Sequence, residues 1–164
     1  MATIAVLALA SRLLPDLLSV AEGNGTGPRL RYPLGYWNAD GIVFAIAAAS
    51  CLWMSRHSLV GALRWASVAV LPSVLLALYF TYSRGGLLAL AIACGCLIAL
   101  SHDRLWLLGT LAIGAIGALP ALIAAQERHS LADNIGNQAA VDEGLAVLAI
   151  LVAGTALALA LFAA

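Results

Sequence analysis

Between Trp65 and Leu100 the chain runs for 36 residues with a single charged side chain, Arg84. As one helix this run would be roughly 54 Å long, at about 1.5 Å per residue. The hydrocarbon core of a bilayer is only about 30 Å thick. The run is too apolar for the surface of a soluble domain and too long for one crossing. It therefore reads as two spans joined by a tight turn. Ser83-Arg84-Gly85-Gly86 is the only stretch able to make that turn, which places Arg84 at a membrane surface or just inside it.

The rest of the chain agrees. Of its 164 residues, 63% are hydrophobic and 10% charged, and the mean hydropathy is +1.01. A soluble domain usually carries about 25% charged residues, so this polar surface cannot coat a globule. Eight arginines balance eight acids and there is no lysine. A zero net charge gives no basic field, which excludes nucleic acid as a partner. Arginine without lysine, amid so much Ala, Leu and Gly, points to a GC-rich, bacterial coding sequence. Met1 to Ala10 is apolar but lacks the basic flank of a secretory signal. Asn24-Gly25-Thr26 matches a glycosylation sequon, a pattern common by chance.

The polar clusters cut the chain into an all-α, polytopic helical bundle within one transmembrane domain. Spans are expected at 37–54, 65–82, 86–100, 105–125 and 144–164. Segment 1–20, which holds Arg12, Pro15 and Asp16, is either a short first span or a helix lying at the interface. Spans alternate sides, so loops 22–36, 83–86 and 126–143 share one face, and loops 55–64 and 101–104 share the other. Arginines fall on both faces, so the positive-inside rule does not orient the chain. Gly109, Gly114 and Gly117 offer close helix packing within one span.

Two segments carry recognisable chemistry. Arg29-Leu30-Arg31-Tyr32-Pro33-Leu34-Gly35-Tyr36-Trp37-Asn38 gathers two arginines, three aromatic rings and an amide at the mouth of a span. The planar donor fork of arginine suits phosphate oxygens, but Tyr, Trp and Arg also serve as plain interfacial anchors. Thr81-Tyr82-Ser83-Arg84-Gly85-Gly86 sets an arginine in a membrane hairpin with no acid nearby in sequence. Its partner is then a distant group or an anionic ligand, unless the side chain simply snorkels to water. His129, with Glu127, Arg128 and Asp133, lies in the longest polar stretch and reads as a solvated histidine rather than a base. Cys51, Cys94 and Cys96 read as small packing or lipid-phase residues. Cys94 and Cys96 point to nearly opposite helix faces and cannot clamp one metal. No metal-ligand spacing and no phosphate-cradling glycine loop is present, so no cofactor is expected.

The segment Arg29 to Asn38, followed by an Ala-rich span, resembles a segment of the bacterial O-antigen ligase and O-antigen polymerase family. Thr81-Tyr-Ser-Arg-Gly-Gly86 is similar to that family's threonine-x-serine-arginine-glycine motif, and Leu131-Ala-Asp133 with Asp142-Glu-Gly144 adds a fainter likeness. The resemblance implies a multi-pass glycosyltransferase of the bacterial inner membrane, which takes glycan from a polyprenyl-diphosphate carrier at the outer face. It implies that Arg29 and Arg84 bind the carrier's diphosphate; Arg31 and Asn38 join them as candidates. Arg31 and Asp40 depart from the pattern, standing where small or apolar residues are expected. The family has about twice as many spans and a large external loop bearing a histidine. This chain has no such loop, so it reads as a fragment that binds lipid diphosphate without turnover. The alternative from another class is a small transporter or channel subunit, or a membrane scaffold, with the arginines as an anion path or as anchors.

Overall fold

The computed structural model describes residues 2–14, 29–132 and 138–164. Among these the chain is helical, without strands. The elements are α1 (Ala2–Leu13), α2 (Trp37–His57), α3 (Gly61–Phe80), α4 (Arg84–Leu100), α5 (Arg104–Gln126), the short α6 (His129–Ala132) and α7 (Gln138–Ala163). Pro15, Asp16, the sequon at 24–26 and Asp133 lie outside the described residues.

Four of these helices, α2, α3, α5 and α7, are long and apolar enough to cross a membrane. The expected fifth span at 86–100 is the 17-residue α4. At about 1.5 Å per residue it measures roughly 25 Å, short of a hydrocarbon core of about 30 Å. The N-terminal segment forms only the 12-residue α1.

Helix ends differ from the sequence reading where local bonds extend them. α2 continues past Met54 to His57. The Ser55 hydroxyl donates to the Leu52 carbonyl at 2.7 Å, and the His57 ring stacks on Trp53 with centroids 3.7 Å apart. α7 starts at Gln138, so Asp142 and Glu143 are helical rather than part of a loop. Glu143 Oε2 accepts the Leu131 amide at 2.7 Å and ties α6 to α7. Both α3 and α5 run through their prolines, Pro72 and Pro120.

Packing is close where side chains are small. In lipid, two apolar helices gain little by hiding from solvent and associate mainly through van der Waals fit. A Cβ on Gly154 would strike the Gly117 carbonyl oxygen, so α5 and α7 meet backbone to backbone. Gly114 packs under Leu71 of α3, whereas Gly109 faces open space and takes no part in packing. The outward surface is apolar, with Leu88 62%, Val152 61% and Ile92 57% exposed, as lipid contact requires.

The two ends of the bundle are well defined. At one end lie the starts of α2 and α4 and the end of α3, joined by bonds from Leu30 to Phe80 and from Ser83 to Asn38. At the other, Arg56 of α2 pairs with Asp103 before α5 at 3.3 Å, and Arg56 also lies over the Trp106 ring. The loop partition expected from alternating spans is what the contacts show for these segments.

Candidate functional site

The 29–38 segment and the 81–86 turn are 43 residues or more apart in sequence, yet they are clipped together along the first end of the bundle. The Leu30 amide donates to the Phe80 carbonyl at 2.8 Å. The Ser83 hydroxyl donates to Asn38 Oδ1 at 2.8 Å, and Asn38 Nδ2 donates to the Tyr36 hydroxyl at 2.8 Å. Ser83 Oγ also accepts the Gly86 amide at 2.9 Å, which caps α4. A hydroxyl at this position satisfies one of the amides that a helix start leaves without an intrahelical partner. One polar chain thus runs Tyr36–Asn38–Ser83–Gly86.

Each segment has its own local reason to hold this shape. The Gly35 amide donates to the Arg31 carbonyl at 2.6 Å, closing a turn in which Gly35 has φ +76°. Glycine takes that conformation without steric cost. In the second segment Tyr82 sits at φ 48°, and Thr81 bridges the turn. Its hydroxyl donates to Leu78 at 2.6 Å and accepts the Ser83 amide at 3.2 Å. The helix begins at Arg84, so the turn is Thr81-Tyr82-Ser83 and starts two residues earlier than the sequence reading of Ser83 to Gly86.

What brings the segments together is a glycine pair. A Cβ on Gly86 would stand 2.9 Å from Gly41 Cα and 2.9 Å from Leu78 Cδ1. A Cβ on Gly41 would stand 2.9 Å from Ser83 Cβ. The starts of α2 and α4 therefore touch at backbone level. Gly41 was not singled out by the sequence. Its signal is a glycine that follows the aromatic mouth by one turn, opposite the Gly85-Gly86 pair.

The four candidate residues are not equivalent. Arg29 and Arg31 both lie over the Trp37 indole, at 4.7 and 5.0 Å from its centroid. Such contacts are worth about 0.5–1 kcal/mol when exposed, and they hold both guanidinium groups beside one ring. Asn38 has both ends of its amide engaged, the oxygen by Ser83 and the nitrogen by Tyr36, so it joins the segments. Arg84 is exposed at the first position of α4 and makes no hydrogen bond or ion pair among the described residues. It stands at the mouth of a groove of about 480 Å³ between α3, α4 and α5. Leu75, Leu87, Leu90 and Leu119 form its walls, and Tyr82, Ser83 and Arg84 its polar end.

Two buried charged residues complete this end. Asp40 is wholly buried, and neither carboxyl oxygen meets hydrogen-bond geometry; the Leu34 amide faces it outside that geometry. Arg12 of α1 is 5% exposed and lies over the Phe80 ring at 5.5 Å. His129 and Glu127 are exposed and lie beyond this network. Cys94 is buried and Cys96, two residues on, is exposed. Among the described residues no group of three or more His, Cys, Asp or Glu is assembled.

Set against protein-family models, curated proteins and solved structures, the chain matches none.

Proposed function

We propose that this multi-pass membrane protein binds a polyprenyl-diphosphate-linked glycan at the bundle end that carries Arg29, Arg31 and Arg84. On this reading it is an O-antigen ligase- or polymerase-like component of the bacterial inner membrane, with that end facing outward. The observation that supports it most is the Ser83–Asn38 bond, which joins the two arginine-bearing segments. The groove below Arg84 adds to it: an apolar channel ending in a guanidinium suits a lipid whose head is a diphosphate. Arginine meets phosphate through two parallel charge-assisted bonds. A diphosphate leaving group gathers negative charge as a glycosidic bond breaks, and fixed cationic donors stabilise that charge without a metal. Asn38 and Ser83 act as positioning residues, setting the angle between the two segments. The proposal assigns binding to these residues and leaves a catalytic base unassigned.

The test is binding of a polyprenyl diphosphate to the purified chain in detergent. Arg84→Ala is expected to lose binding by roughly tenfold or more, the scale of one charge-assisted pair of about 1.5–3 kcal/mol. Arg29→Ala is expected to weaken binding too, with no change in thermal stability for Arg84→Ala. Unchanged binding in both variants sinks this reading and favours a transporter or scaffold that uses the arginines as anchors.

A further inference from the structure

A second groove opens at the opposite end of the bundle, between α2 and α4. It holds about 700 Å³ and is lined by Ile46, Ala49, Trp53, Ala93, Leu97 and Leu100, among others. At its end, Leu100 and Ser101 also line a smaller cavity of about 290 Å³, whose remaining walls are His102 and Arg104. The two spaces therefore share a wall, and an apolar groove lies next to a cationic notch.

The notch is arranged to receive negative charge. Arg104 Nε donates to the Ser101 carbonyl at 3.2 Å, which holds the guanidinium at the notch. Its terminal amino groups make no bond among the described residues. Asp103 occupies the N-cap position of α5 but makes no capping bond. Its carboxylate turns instead to Arg56 at 3.3 Å and to His57 at 3.6 Å. The first-turn amides of α5 are thus left without a side-chain acceptor beside Arg104. Helix starts favour anions for this reason. The turns at this end, 55–64 and 101–104, carry Arg56, Arg64 and Arg104 against the single acid Asp103.

We propose that the α2–α4 groove is a binding site for one anionic phospholipid, with an acyl chain along the groove and its phosphate in the notch at Arg104 and His102. Basic pockets between membrane helices select anionic head groups in this way. The site is separate from the diphosphate site proposed above and does not depend on it, because it lies at the other end of the bundle.

The experiment uses the full chain purified in detergent, with retention of phosphatidylglycerol and of phosphatidylcholine of the same acyl composition read by native mass spectrometry. Phosphatidylglycerol is expected to be retained several-fold better. Arg104→Gln is expected to reduce that preference roughly fivefold, the effect of one arginine near a membrane surface. Ala93→Phe, which fills the groove without changing charge, is expected to reduce retention of both lipids. Arg64→Gln removes the same charge at the same end but away from the groove, and is expected to leave the preference intact. Equal retention of the two lipids by the wild-type chain overturns the proposal. So does a loss in Arg64→Gln as large as in Arg104→Gln, since the attraction is then diffuse. Where Arg104→Gln fails to fold, His102→Gln with Ala93→Phe decides: an undiminished preference and retention in both overturns the site.

Discussion

Replacing Gly86 by alanine should unseat α4 from α2. The added methyl would stand 2.9 Å from Gly41 Cα, 3.0 Å from the Gly41 carbonyl carbon and 2.9 Å from Leu78 Cδ1. Carbon atoms rest at about 3.5–4.0 Å, so roughly 0.6–1 Å must be found. Leu78 is 2% exposed and has little room to yield, and two of the three obstacles are backbone. The helices must part, and that stretches the 2.8 Å Ser83–Asn38 bond. Overpacking of this kind costs about 1–3 kcal/mol, and the loss of this partly buried hydrogen bond adds about 1 kcal/mol. The expected loss is about 2–4 kcal/mol, or very roughly 5–15 °C in Tm on a scale of about 2–4 °C per kcal/mol. Thermal unfolding in detergent reads it. Gly85→Ala is the comparison within the same turn, because its methyl would meet only Ser83 Oγ at 3.8 Å, an ordinary contact. Gly109→Ala, with nothing within 4 Å, should be neutral or stabilising by about 0.5–1 kcal/mol through helix propensity. If Gly86→Ala melts no lower than Gly85→Ala and Gly109→Ala, the backbone contact between α2 and α4 is not what holds this end together.

Ser83→Ala should cost about 1–3 kcal/mol, because one hydroxyl both caps α4 and bonds Asn38; Asn38→Ala should cost about 1 kcal/mol. In a double-mutant cycle read by thermal unfolding the two should couple by about 0.5–1.5 kcal/mol, and strict additivity contradicts the bond. At the other end, Asp103→Ala should lower stability by no more than about 1 kcal/mol, because both partners in the Arg56–Asp103 pair are partly exposed. That effect should shrink when the melt is repeated at high salt.

The hairpin of α3 and α4 was legible because length against membrane thickness leaves no other answer for residues 65 to 100. The same argument placed the 29–38 and 81–86 segments at one end, and the Ser83–Asn38 bond bears out that placement. It did not show which faces of the helices meet. A helix in water shows its packed face as an apolar stripe, whereas a lipid-facing surface and a packed one are both apolar. The discriminating residues are instead the small ones, and these are ambiguous in sequence. Gly117 packs against Gly154 and Gly86 against Gly41, while Gly109, on the same helix as Gly117, touches nothing. Asp40 was visible as an acid at the start of an apolar span, but its complete burial was not. The extent of α7 was misread for a related reason. Asp142 and Glu143 marked a polar loop by composition, but Glu143 is helical and satisfies the Leu131 amide across the connection.

The shortness of α4 has a mechanical side. Its first turn packs on the start of α2 through Gly86 and Gly41, and the turn after its last residue reaches the end of α2 through Asp103 and Arg56. It therefore runs the length of α2 with 17 residues where α2 has 21. Set across a hydrocarbon core of about 30 Å, α4 would fall short by roughly 4–5 Å, at fractions of a kcal/mol for each ångström. α4 cannot close the gap by tilting, which only shortens its reach; thinning of the lipid beside it is one way to close it. Thinning draws phosphates inward at both ends, toward Arg84 above and Arg104 below. α4 would thus bring head groups to its own Arg84 and to Arg104 at the start of α5, and the chain would favour membranes that are thin or easily dimpled.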